Sequence, residues 1–182
     1  YKRQKYDIFP SAQADIAILQ IEPSSEDKEK AKIEAEEILK NLTAENFKEK
    51  AKSLSQGPSA GNGGDLGWFS KGDMVEPFQK AVFEGEVGKI YPTPVETVFG
   101  YHLIFIEDRN DKEEKAKASH ILITPKVSDV TIASKEQEVA ELKAKLSSKE
   151  LTFENIKNDR TDIIQNGKFK INDAGYISGL GY

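Results

Sequence analysis

The 182-residue sequence predicts an α+β fold in which helices flank a sheet, and three observations carry that prediction. In residues 16–21, Ile16, Ile18 and Gln20 alternate with Ala17, Leu19 and Ile21, which is too apolar for a strand with one solvated face. That pattern predicts a strand buried on both sides. Residues 31–54 instead repeat apolar side chains at helical spacing, in two stretches. Residues 101–107 alternate again: Tyr101, Leu103 and Phe105 share one face, and His102, Ile104 and Ile106 the other.

The elements between follow in order. Residues 1–13 read as a lead-in. After the opening strand, Pro23, Ser24 and Ser25 break the chain. Ser24 with Asp27 three residues on matches a capping box, which satisfies free backbone donors at a helix start. Ala31, Ala35, Ile38, Leu39 and Leu42 then line one face of the first helix. Thr43 is placed to cap a second helix carrying Phe47, Ala51 and Leu54. Residues 57–67 form a glycine-rich loop closed by Trp68 and Phe69. A short apolar helix follows, with Met74, Phe78, Ala81, Val82 and Phe83. Pro92 and Pro94 make residues 91–98 an irregular or edge strand. The predicted order is β-α-α-loop-α-β-β, which is layered α+β.

Composition narrows the function. The 26 Lys and Arg are interleaved with 31 Asp and Glu, giving a net charge of -5. No basic stripe is left for nucleic acid or an anionic membrane. With no cysteine and two histidines, the chain offers neither disulfides, a thiol nucleophile nor an ordinary zinc site. No apolar run approaches the roughly 18 residues of a membrane span. Tyr1 at the start and Gly181-Tyr182 at the end read as the ends of a piece cut from a longer precursor, one expected to carry a signal peptide.

Three separated segments carry the functional signal. They are Gly63-Gly64-Asp65-Leu66-Gly67-Trp68-Phe69, then Gly72-Asp73-Met74-Val75-Glu76-Pro77-Phe78, then Pro94-Val95-Glu96-Thr97-Val98-Phe99-Gly100-Tyr101-His102. In this order they resemble the parvulin family of peptidyl-prolyl isomerases, of the extracytoplasmic SurA, PpiD and PrsA kind. The resemblance implies a four-stranded antiparallel sheet over residues 14–109, with the opening strand central and beside the strand of His102. It implies a proline-binding pocket of Leu66, Met74 and Phe78, with Phe69 nearby, and His102 as the catalytic histidine. The family's other site histidine sits on the opening strand, where this sequence places Ile18. Gly57 falls where the family has an acidic residue or cysteine. Both departures predict weak catalysis. Taken alone, Trp68, Phe69, Met74 and Phe78 read better as core, and His102 as a satisfied core histidine.

The expected reaction is cis/trans rotation about X-Pro bonds in unfolded or extended clients containing proline or aromatics, outside the cytoplasm and in the periplasm. No cofactor or metal is needed, because no bond is made or broken. The alternatives are a non-catalytic peptide-binding chaperone module and a structural scaffold around a relict domain.

Residues 110–116 read as a charged linker, after which the pattern restarts. Residues 118–125 echo residues 16–23, with Pro125 and Pro23 being 125 − 23 = 102 positions apart. Val139, Leu142 and Leu146, then Phe153, continue the echo. Residues 117–182 are therefore expected to form a second, partial parvulin-like unit. His120 matches the first histidine of that second unit, but the rest of the unit's site is absent, so structural duty is favoured. Gly175-Tyr176-Ile177-Ser178-Gly179 would be a degraded counterpart of the glycine-rich loop.

Overall fold

The computed structural model describes residues 12–159 and 162–171. Its elements are β1 (Ala12–Leu19), α1 (Ser25–Lys40), α2 (Phe47–Leu54), β2 (Asp65–Ser70), α3 (Glu76–Glu84), β3 (Val95–Thr97), β4 (Gly100–Asn110), β5 (Lys115–Ile123), α4 (Asp129–Ser147), α5 (Phe153–Asp159) and β6 (Ile163–Ile171). They divide into two compact units: residues 23–128, and the remainder on either side of them in sequence.

The unit of residues 23–128 is built on an antiparallel sheet in the order β2-β5-β4-β3. The alternation along β4 divides its core in two, as the sequence predicts. Leu103 and Tyr101 face α1 and α2, packing with Ala35, Phe47, Ala51 and Ile121. Ile104 and Ile106 face α3, packing with Phe69, Phe78, Val82 and Ala118. The capping box forms: the Ser24 hydroxyl accepts from the Asp27 amide, and the Asp27 carboxylate accepts from the Ser24 amide. Thr43 stands three residues before the capping position of α2. Its side chain and that of Asn46 bond each other's amides, and Asn46 precedes α2. Arg109 reaches from β4 to the carbonyl oxygens of Phe83 and Gly85 at 2.9 Å, closing the C-terminus of α3 with a positive charge.

Four expectations are corrected. The opening strand is not beside β4: β1 pairs antiparallel with β6 in a separate two-stranded sheet. The central place goes to β5, whose Ala118, Ile121 and Ile123 are at most 1% exposed. A strand buried on both faces was required there, and β5 reaches the place through a turn of residues 111–114, a loop cheap to close. The charged stretch 110–116 is accordingly that hairpin, not a linker. Residues 117–128 complete the first unit rather than open a second, so its bounds are 23–128 instead of 14–109. Finally, Trp68 and Phe69 lie in β2, because Asp65 already pairs with Ser119.

The other unit holds β1, α4, α5 and β6. The Gln20 amide donates to the Asp162 carbonyl at 2.7 Å, and Lys135 bridges Glu138 and Asp162. The strand β6 was not foreseen. Most of the lead-in and the segment of residues 175–179 lie outside the described residues.

Candidate functional site

Two adjacent strands build the site. Residue 102 on β4 and residue 120 on β5 are diagonal neighbours, since His120 pairs with Ile104 and His102 with Leu122. Side chains so related share one face of the sheet. The rings of His102 and His120 lie nearly parallel, 15° apart, and their Nδ1 atoms are 2.9 Å from each other. One Nδ1 must therefore carry a proton and the other must accept it, so the two rings hold opposite tautomers. The outer nitrogens continue the chain. Nε2 of His102 is 2.8 Å from the Thr97 hydroxyl, and Nε2 of His120 is 2.9 Å from the Ser59 hydroxyl. Hydroxyls donate or accept, so the four groups can be polarised in either direction.

Burial keeps the pair uncharged. His102 is pulled down to about 4, first by burial and then by the neighbouring His120. Burial also lowers His120. Both rings are neutral at pH 7, each with one N–H to donate. Between pH 6.5 and about 4 the unfolded chain binds a proton at residue 102 that the folded one does not. Stability is complete above pH 6.5 and falls as pH drops, by on the order of 3 kcal/mol from His102. Urea denaturation across this range should show the loss, and His102→Ala should largely remove it.

Above the histidines lies a cavity of about 400 Å³. Leu66, Met74, Phe78 and Phe99 supply apolar walls, with Pro58, Val75 and Leu122 beside them. Phe78 stands edge-on to both imidazoles, at 5.3 and 5.7 Å between ring centres. Of the residues singled out from sequence, Leu66, Met74, Phe78 and His102 meet in this cavity. Phe69 does not: it is 6% exposed and packs behind Phe78 and against Phe83, so it supports the wall without forming it.

Pro58, Asp73, Val75, Phe99, His120 and Leu122 also line the cavity and are not among the site residues expected from sequence. The signal for His120 was visible, in its match to the family's first histidine. Because it follows the strand of His102 in sequence, the sequence alone places it in a second unit. Ile18 therefore does not stand in that histidine's place here; β5 fills it. Gly57 does lie beside the pair, where an added Cβ would be 3.6 Å from Nε2 of His120.

A family profile described as the PPIC-type PPIASE domain matches residues 2–110, more than half of the sequence. The chain belongs to the PPIC-type peptidyl-prolyl isomerase family. The foldase protein PrsA of Halalkalibacterium halodurans is 47% identical over 83 residues, covering 44% of this chain and 25% of that protein. The PrsA of a Geobacillus strain (WCH70) is 38% identical over 124 residues, covering 64% of this chain and 45% of that protein. A solved SurA-like chaperone of Campylobacter jejuni aligns at a TM-score of 0.39 with 29% identity, over 83% of this chain and 54% of that one. The chain spans less than half the length of these two PrsA relatives. The parvulin-type isomerase domain expected from the motifs is thus present, while His120 lies beyond the residues the profile matches.

Proposed function

We propose that this isomerase domain binds the proline ring of extended client segments between Leu66, Met74 and Phe78 and rotates the preceding peptide bond over the neutral His102–His120 pair. The observation that carries this reading is the apolar cavity walled on one side by two uncharged, mutually bonded imidazoles. Rotation about X-Pro faces a barrier of roughly 18–20 kcal/mol and takes tens to hundreds of seconds unaided. Catalysis requires only that the twisted amide be bound better than either planar form. The apolar walls strip water from the amide, which disfavours its more polar planar form. The paired imidazoles, with every ring nitrogen already bonded to the other ring or to a hydroxyl, give the cavity a rigid and uncharged polar side.

The rim favours apolar neighbours of the proline. Phe99 is 57% exposed and Val75 37% exposed at the mouth of the cavity. Clients would be unfolded polypeptides in which an aromatic or aliphatic residue flanks the proline, handled outside the cytoplasm, in the periplasm or at the cell surface. Gly57 supports the rival reading, a chaperone module that binds such segments without turning them over.

A protease-coupled assay on short proline peptides separates the two. Acceleration by the folded protein is expected, and Met74→Ala should weaken peptide binding about tenfold, the effect of losing part of one buried apolar side chain. Circular dichroism must show the fold unchanged. Peptide binding without acceleration would leave the chaperone reading standing, and no binding would sink both.

A further inference from the structure

The central slot of the sheet has two candidate strands in this chain, and they differ at the site. Residues 118–125 and 16–23 share one pattern at an offset of 102, ending in Pro125 and Pro23. Carried along the strands, that offset sets Ile18 against His120, Ala17 against Ser119, and Asp15 against Lys117. The profile match makes the same point from another direction. It runs from before β1 to the end of β4 and stops short of β5, the strand that holds the slot here.

The path of the chain makes β1 a competent rival. After leaving β5, the backbone reaches the start of α1, where the Ser128 amide donates to the Asp27 carboxylate at 3.4 Å. Asp27 is the capping-box residue in the first turn of α1. The slot therefore discharges its strand at the point where the segment entering α1 begins. Residues 20–24 are all that separates β1 from α1. With β1 in the slot, the strand would lead directly into its own helix, through a connection short enough to close at little cost.

We infer that β5 and β1 are alternative occupants of the central slot, and that the exchange switches the isomerase site on and off. With β5 in place, Lys117 pairs with Glu107 at 2.8 Å, the Ser119 hydroxyl donates to Glu107 at 2.7 Å, and His120 bonds His102. With β1 in place, Asp15 meets Glu107 with like charge, Ala17 offers no hydroxyl, and Ile18 leaves His102 without its imidazole partner. The β5 arrangement is therefore the dominant one. The β1 arrangement becomes populated when β5 is drawn away, and it keeps the sheet and the walls of Leu66, Met74, Phe78 and Phe99 while setting Gln20 in the place of Leu122 and losing the histidine pair. This inference rests on the histidine pair's role proposed above, but the exchange itself is read without it.

The chain has no cysteine, so introduced pairs report cleanly. Ser70 at the end of β2 faces Lys115 across the strands, and the same offset (115 − 13 = 102) sets Gln13 against Lys115. The Ser70→Cys/Lys115→Cys variant should close an intramolecular disulfide and keep its turnover. Ser70→Cys/Gln13→Cys should close one in a minor fraction of molecules. Purified in the oxidised form, that fraction should turn over at least about tenfold more slowly, as expected when a buried polar group loses its partner, and recover on reduction. Adding Ile18→His to it should restore turnover while the disulfide stays closed. Failure of either pair to close within one chain, under conditions where the other does, overturns the exchange. If both pairs close but neither form isomerises peptides, the exchange stands and the proposed activity fails.

Discussion

Replacing Gly64 by alanine is expected to destabilise the domain by at least about 3 kcal/mol, among the largest effects of any single substitution in this chain. Two costs combine at that position. Gly64 has a φ of +79°, a conformation that L side chains rarely adopt, and its added Cβ would run into the carbonyl oxygen of His120. That oxygen cannot retreat, because the His120 amide is itself bonded to the Gly64 carbonyl at 2.9 Å. The clash must push β5 out of the sheet centre. Gly67 supplies the control: its φ is +66°, but an added Cβ there meets nothing within 4 Å. Gly67→Ala should cost only the backbone strain, about 1–2 kcal/mol. Urea midpoints for the two variants give the comparison. Equal losses would mean that β5 does not pass over Gly64.

The second large effect is on turnover. His120→Ala should slow isomerisation about 10- to 100-fold, because His102 is left buried with an unmet nitrogen, worth roughly 1–3 kcal/mol. The loss should be nearly the same in His102→Ala and in the double variant, since the two rings act as one unit. Steady-state assays on the three variants test this, with circular dichroism checking that each remains folded. Full additivity of the two single losses would show that the rings work independently.

The helices and the faces of β4 were legible because each is a local pattern. Ser24 and Asp27 announce α1 within four residues, and the alternation from Tyr101 to Ile106 assigns both cores. Most of the cavity was legible too, through Leu66, Met74, Phe78 and His102. The partner of β4 was not, because strand neighbours are set by packing across the sheet and not by order in the chain. The charged residues of 108–117 read as solvated linker, yet they form a hairpin whose turn of residues 111–114 is exposed, with Lys115 paired to Glu113 beside it and Lys117 paired to Glu107 where the strands enter the core. His120 carried the right identity on the wrong side of that hairpin. Phe69 had the opposite fate: its position in the motif was correct, but the pleat of β2 turns it behind Phe78.

The central claim is that the site is completed by a histidine from β5, bonded ring to ring with His102. The chain contains only these two histidines, so selective nitrogen-15 labelling makes both rings visible without ambiguity. Nuclear magnetic resonance of the labelled protein should show scalar coupling between the two Nδ1 nuclei through their shared proton. Burial should hold both rings below the ordinary value of 6.5, with His102 down to about 4. Two uncoupled imidazoles that each titrate near 6.5 would contradict the pairing and the sheet order that produces it.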